Sequence, residues 1–151
     1  EFRNAYRAHY SQHMVEAPLY QCMEQLLRDL AAAGRDVGLA TSKWEEAAHA
    51  ILDHNGLTPF FSVIAGSDLA ETRSDKASVV AHAIALFGQA GVDASAALMV
   101  GDRAHDVEGA RAHGLRTAYV RWGYGSEEEI RACAPADVAA DVAELRVLLG
   151  L

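Results

Sequence analysis

The chain alternates amphipathic helical stretches, glycine stops and short apolar runs. Leu19, Cys22, Met23, Leu26, Leu27 and Leu30 recur at helical spacing, and Gly34 follows where a helix would end. Val37–Thr41 then reads as a buried strand closed by polar residues. Trp44, Ala47, Ala48, Ile51 and Leu52 form the next helical stripe, stopped near Asn55-Gly56, and Ser62–Gly66 is a second strand. Val79, Val80, Ala83, Ile84 and Phe87 line a third helix. Ala97–Val100 is a third strand running straight into Gly101-Asp102. A short helix to His113-Gly114, a strand over Thr117–Val120, and a last short strand and helix within 138–149 complete the series. The first 14 residues look like a helix of mixed polarity outside this rhythm.

Strands that are near-continuous apolar runs, alternating with helices, predict an α/β fold with a parallel sheet covered on both faces. Ligands of such sheets bind at the carboxyl ends of the strands. The polar residues there are Thr41-Ser42-Lys43, Gly66-Ser67-Asp68 and Gly101-Asp102, so chemistry is expected at these three places.

Composition narrows the options. The 151 residues are the size of one domain, and 51% are hydrophobic, enough for a real core. A formal charge of -8 disfavours nucleic acid and anionic membranes as partners. It says little about one small anion, which local cations and backbone N–H groups can hold inside a cleft. No apolar run approaches the roughly 18 residues of a membrane span, and the start does not read as a signal peptide. Cys22 and Cys133 are far apart, outside metal or redox spacing, and read as two reduced thiols of a cytoplasmic protein.

Three features carry candidate chemistry. In Met99–Leu115 a strand delivers Gly101 and Asp102 to the sheet edge, with Asp106 four residues on. Two carboxylates on one turn are hard oxygen ligands suited to an Mg²⁺ that keeps several waters and binds phosphate. The same aspartates would also serve as caps at the positive end of the next helix. Thr41-Ser42 offers a hydroxyl and backbone N–H groups for phosphate oxygens, or an ordinary N-cap. Lys76, opening the third helix in Arg73-Ser-Asp-Lys76, either neutralises a phosphate across the sheet edge or stands as a solvated surface charge.

Taken in order, these residues resemble the haloacid dehalogenase superfamily, in its phosphoglycolate-phosphatase-like branch. Gly38-Leu-Ala-Thr-Ser-Lys43 is similar to the family's second motif. Gly66-Ser-Asp-Leu and Thr72-Arg-Ser-Asp-Lys76 resemble the region of its third. Val100-Gly-Asp-Arg-Ala-His-Asp106 and Gly109-Ala-Arg-Ala-His-Gly114 resemble its fourth, and Trp122-Gly-Tyr-Gly-Ser-Glu-Glu its continuation.

The resemblance implies a Rossmannoid parallel sheet flanked by helices and Mg²⁺-dependent hydrolysis of a small phosphorylated metabolite through an aspartyl-phosphate. In that scheme Asp102 binds Mg²⁺, and Asp106 supports the ion directly or through water. Thr41 and Ser42 hold phosphate, and Lys76 stabilises its charge. The family's first motif, an Asp-x-Asp pair after an apolar strand, has no counterpart here. The resemblance therefore implies a sheet lacking its central first strand and a nucleophile outside the chain, with 1–15 a remnant of a helical cap and 16–151 the core. This chain alone is expected to be inactive. Two alternatives stand beside this reading: an inactive phosphate- and Mg²⁺-binding regulatory module, and a pyrophosphatase or nucleotidase on the same scaffold.

Other residues read more plainly. His9 and His13, four apart, lack a third ligand and read as surface residues. His105 faces either the site mouth or solvent. Trp122 and Tyr124 read as packing beside a glycine-rich turn, and Glu127-Glu-Glu129 as an acidic first helical turn.

Overall fold

The computed structural model describes residue 15 and residues 17–151. Residues 1–14 and 16 fall outside the described residues, and with them the expected cap helix and the His9–His13 pair. The elements run α1 (Met23–Ala32), β1 (Gly38–Trp44), α2 (Glu45–His54), a 3₁₀ turn (Thr58–Phe60) and β2 (Val63–Ser67). They continue α3 (Lys76–Gln89), β3 (Leu98–Gly101), α4 (Ala104–Arg111), β4 (Arg116–Val120), α5 (Glu127–Cys133), β5 (Asp137–Ala139) and α6 (Val142–Leu148).

Every strand pair is parallel, as continuous apolar strands separated by helices require. The strands form two sheets: β1 pairs with β2, and β3, β4 and β5 pair in that order. Among the described residues no ladder joins β1 to β3. Helices nevertheless span both sheets. Leu26 and Leu30 of α1 pack with Ala118, Val120 and Leu145, while Leu27 of the same helix packs with Leu52 and Leu57. On the other side, α3 packs on β1, β2 and α4. The interior strand β4 is buried from Thr117 to Val120, whereas Val100 of β3 and Gly38 of β1 are exposed.

Two boundaries differ from the sequence expectation. The first helix starts at Met23, not near Leu19, because Cys22 has a left-handed backbone (φ 66°) and cannot continue a right-handed helix. Strand β1 runs three residues past Thr41. It pairs in step through Ala40↔Ala65 and resumes at Trp44↔Ser67, so Thr41, Ser42 and Lys43 bulge out of the ladder. Such bulges re-aim side chains at the rims of sheets. Both cysteines are free, Cys22 exposed and Cys133 buried.

Candidate active site

The carboxyl ends of the strands carry all three predicted features. In the β1 bulge, the Thr41 hydroxyl oxygen accepts the Lys43 N–H at 3.1 Å, which leaves its O–H free to donate. Ser42 is exposed beside it. Lys76 opens α3, where Asp75 and Ser78 form a capping box that fixes the start of the helix.

The Lys76 side chain is buried, and its Nζ donates to the Ala40 carbonyl at 3.0 Å and pairs with Asp106 Oδ1 at 2.8 Å. It therefore ties the strand end carrying Thr41 to the turn carrying Asp102, across the two sheets. An ammonium has three donors. Two are committed here among the described residues.

Asp106 was expected beside a metal. The structure engages both of its oxygens within the protein: Oδ1 meets Lys76, and Oδ2 accepts the Asp102 and Arg103 N–H groups, each at 3.1 Å. Asp106 is 5% exposed, and a Cβ on Gly101 would overlap its side chain, so this turn closes only over glycine. Asp102 is half-buried, and its Oδ2 accepts the Tyr124 N–H at 2.7 Å. A Cβ on Gly123 would collide with the same carboxylate, which explains a glycine beside Tyr124.

A cavity of about 240 Å³ opens beside Asp102, lined also by Tyr20, Met23, Val100, Trp122 and Tyr124. Burial, Tyr124 and the Asp102 charge together push the Tyr20 hydroxyl's pKa up. A larger cavity, near 370 Å³, lies at the opposite, amino ends of β3, β4 and β5. There Arg116 is spent on Asp137 at 2.7 Å.

The sequence reading missed two sets of contacts. Glu45, in the first turn of α2, accepts the Gly66 N–H at 3.0 Å and meets Arg73 at 3.3 Å, while Arg73 Nε donates to the Gly66 carbonyl at 2.9 Å. Glu129 accepts the Ala104 N–H at 2.5 Å and Arg103 Nε at 3.0 Å, and these contacts hold its carboxyl below the usual range, the Ala104 bond foremost. The only local signals were a carboxylate at a helix start and an arginine near Lys76. Neither names its partner. Beneath the turn, the buried Tyr119 hydroxyl has no hydrogen-bond partner among the described residues, and burial pushes it up to about 12. His105 lies half-exposed, 3.9 Å from Asp106 Oδ1.

For a divalent cation the donors are few. Among the described residues no three His, Cys, Asp or Glu side chains cluster as a metal site. Among the described residues, one Asp102 oxygen, Oδ1, has no hydrogen-bond donor on it. A single hard carboxylate fits Mg²⁺, which binds through one or two carboxylates and keeps waters and phosphate as its other ligands.

The chain belongs to the haloacid dehalogenase-like hydrolase family, whose model matches residues 1–120. It is 43% identical over 150 residues to tyrosine-protein kinase PtkA of Mycobacterium tuberculosis, covering 97% of this chain and 50% of that protein. It is 36% identical to a 5'-nucleotidase of Pseudomonas aeruginosa over 136 residues (90% and 60% covered). It is also 37% identical to a phosphoglycolate phosphatase of Rhodospirillum rubrum over 145 residues (95% and 58%). The crystal structure of a predicted phosphatase from Clostridium acetobutylicum superposes with a TM-score of 0.88 at 32% identity, covering 98% of this chain and 68% of that one. The chain thus spans about half to three-fifths of the length of these curated relatives.

Proposed function

We propose that the protein to which this chain belongs hydrolyses small phosphate monoesters with Mg²⁺. This chain supplies the phosphate and metal site, and a carboxylate from outside it supplies the nucleophile. The observation that carries this reading is Lys76. One buried ammonium contacts both the strand end before Thr41 and the carboxylate that organises the Asp102 turn.

In this reading the Thr41 O–H, the Ser42 backbone N–H and the third donor of Lys76 bind phosphate oxygens. The phosphoryl group passes from the ester oxygen to the attacking carboxylate, and water then releases it as phosphate. Bound Mg²⁺ would neutralise charge on the phosphoryl oxygens, with Asp102 as the ligand from this chain. Asp106 holds the Asp102 turn and pairs with Lys76. The two lysine contacts fix its position without exhausting its donors.

The test is turnover of an aryl phosphate by the full-length gene product across a Mg²⁺ titration. Asp102→Asn is expected to lower Mg²⁺-dependent turnover by at least the tenfold typical of losses around a metal site. A variant with wild-type Mg²⁺ dependence would remove Asp102 from the role.

The similarity to PtkA favours a second reading, in which the phosphoryl group passes to a tyrosine hydroxyl instead of water. Incubation of the full-length gene product with γ-labelled ATP and a tyrosine peptide tests it: label on the peptide supports transfer to tyrosine, and an unlabelled peptide removes that reading.

A further inference from the structure

The turn that presents Asp102 has three consecutive N–H groups, at 102, 103 and 104, and all three end on carboxylates. Asp106 Oδ2 takes the first two from within the same segment. The third, from Ala104, goes to Glu129 Oε1 of α5 at 2.5 Å. Arg103, at the N-cap position of α4, makes no side-chain cap bond to that helix. Its Nε instead donates to both Glu129 oxygens, at 3.0 and 3.3 Å.

Glu129 is itself placed. Its N–H donates to the Ser126 hydroxyl at 3.1 Å, and the segment just before Ser126 donates the Tyr124 N–H to Asp102 Oδ2. Residues 124–129 therefore hold Asp102 from two sides, its carboxylate through Tyr124 and its backbone turn through Glu129.

We infer that Glu129 is a positioning residue for Asp102, setting the direction in which its free carboxylate oxygen meets a cation. The inference rests on the proposed metal role of Asp102. The contact that matters is the acceptor oxygen on the Ala104 N–H, and the charge pair with Arg103 steadies that oxygen. Glu129→Gln keeps an acceptor of the same reach without the charge. Glu129→Asp keeps the charge but withdraws the acceptor by one methylene.

The experiment is Mn²⁺ binding by the full-length gene product, read by electron paramagnetic resonance, with thermal unfolding of each metal-free variant alongside. Wild type is expected to bind, and Asp102→Asn to lose binding. Glu129→Asp and Glu129→Ala are expected to weaken Mn²⁺ by about tenfold or more, as outer contacts of metal sites do. Glu129→Gln is expected to stay nearer wild type than Glu129→Asp. Folded Asp and Ala variants with wild-type affinity would overturn the inference. So would a Gln variant that binds no better than the Asp variant, an ordering that remains readable if the Ala variant fails to fold. Wild-type Mn²⁺ affinity in Asp102→Asn, or no binding by wild type, would overturn the metal reading itself and the inference with it.

Discussion

Lys76 and Asp106 pay a desolvation cost that a surface pair does not, since their side chains are only 9% and 7% exposed. The cost is offset because each makes further bonds, Lys76 to the Ala40 carbonyl and Asp106 to two N–H groups. Removing one member alone leaves the other's charge buried and unpaired. Lys76→Met is therefore expected to destabilise the folded protein by about 3 kcal/mol or more. Adding Asp106→Asn should return part of that loss, because the orphaned charge is gone. Urea unfolding of wild type, both single variants and the double variant measures the coupling. Strict additivity of the two single changes would show that the pair is not energetically joined. Activity should not return in the double variant, since in the proposed reading the third donor of Lys76 reaches phosphate.

At the scale of elements, α1 and α6 are joined by Arg146 Nη1 and Asp29 Oδ2 at 2.5 Å, across the layer that also packs Leu26, Leu30 and Leu145. The Arg146 hydrogen bond holds the Asp29 carboxyl below the usual carboxylate range. A depressed folded pKa stabilises the protein above the unfolded value, near 4, and that contribution fades as pH falls through the folded value. Wild type should therefore unfold at a higher denaturant concentration than Asp29→Asn at pH 7, and the difference should close as pH is lowered below about 4. A difference that stays constant with pH would assign the effect to packing instead of charge. Most elements were legible because they follow local rules. Strands β2 to β4 fall within a residue or so of the apolar runs that announced them, and β5 lies at the start of the segment read as a last short strand and helix. The start of α1 was not legible, because Leu19 continues the helical spacing while the φ of Cys22 breaks the helix. The end of β1 was missed because Ser42 and Lys43 look like a loop, yet pairing resumes beyond them at Trp44. In the site, the positions of Lys76 and Asp102 were readable from motif order. The contacts of Glu129 with Ala104 and of Glu45 with Arg73 join residues 25 and 28 apart in sequence. No local pattern encodes which cation or N–H a carboxylate will meet after folding.

For the whole molecule, the decisive feature is that α1 packs on both parallel sheets and α3 reaches the second through α4, while among the described residues no ladder joins β1 to β3. Among the described residues, no strand pairs with the edge of β1 opposite β2 or with the edge of β3 opposite β4. A backbone donor or acceptor on such an edge costs roughly 1–3 kcal/mol only where it is left unpaired and out of reach of water, and where it is exposed it offers a partner to another strand instead. A domain's net stability is only about 5–15 kcal/mol, so a few buried ones decide whether the fold persists. Residues 1–151 expressed alone are therefore expected to unfold without a sharp transition or to associate through the open edges. They are also expected to show no aryl phosphatase activity with Mg²⁺, because in the proposed reading Thr41, Lys76 and Asp102 hold phosphate and metal without attacking phosphorus. Supplying a separate parallel-strand segment, an apolar run ending in an Asp-x-Asp pair, should sharpen the thermal transition and restore turnover together. An Asn at the first aspartate of that segment should restore the transition alone. A sharp transition in residues 1–151 with nothing added would show that the fold closes the gap by its own means. Turnover without the added segment, abolished by changing a residue within 1–151, would place the nucleophile in this chain.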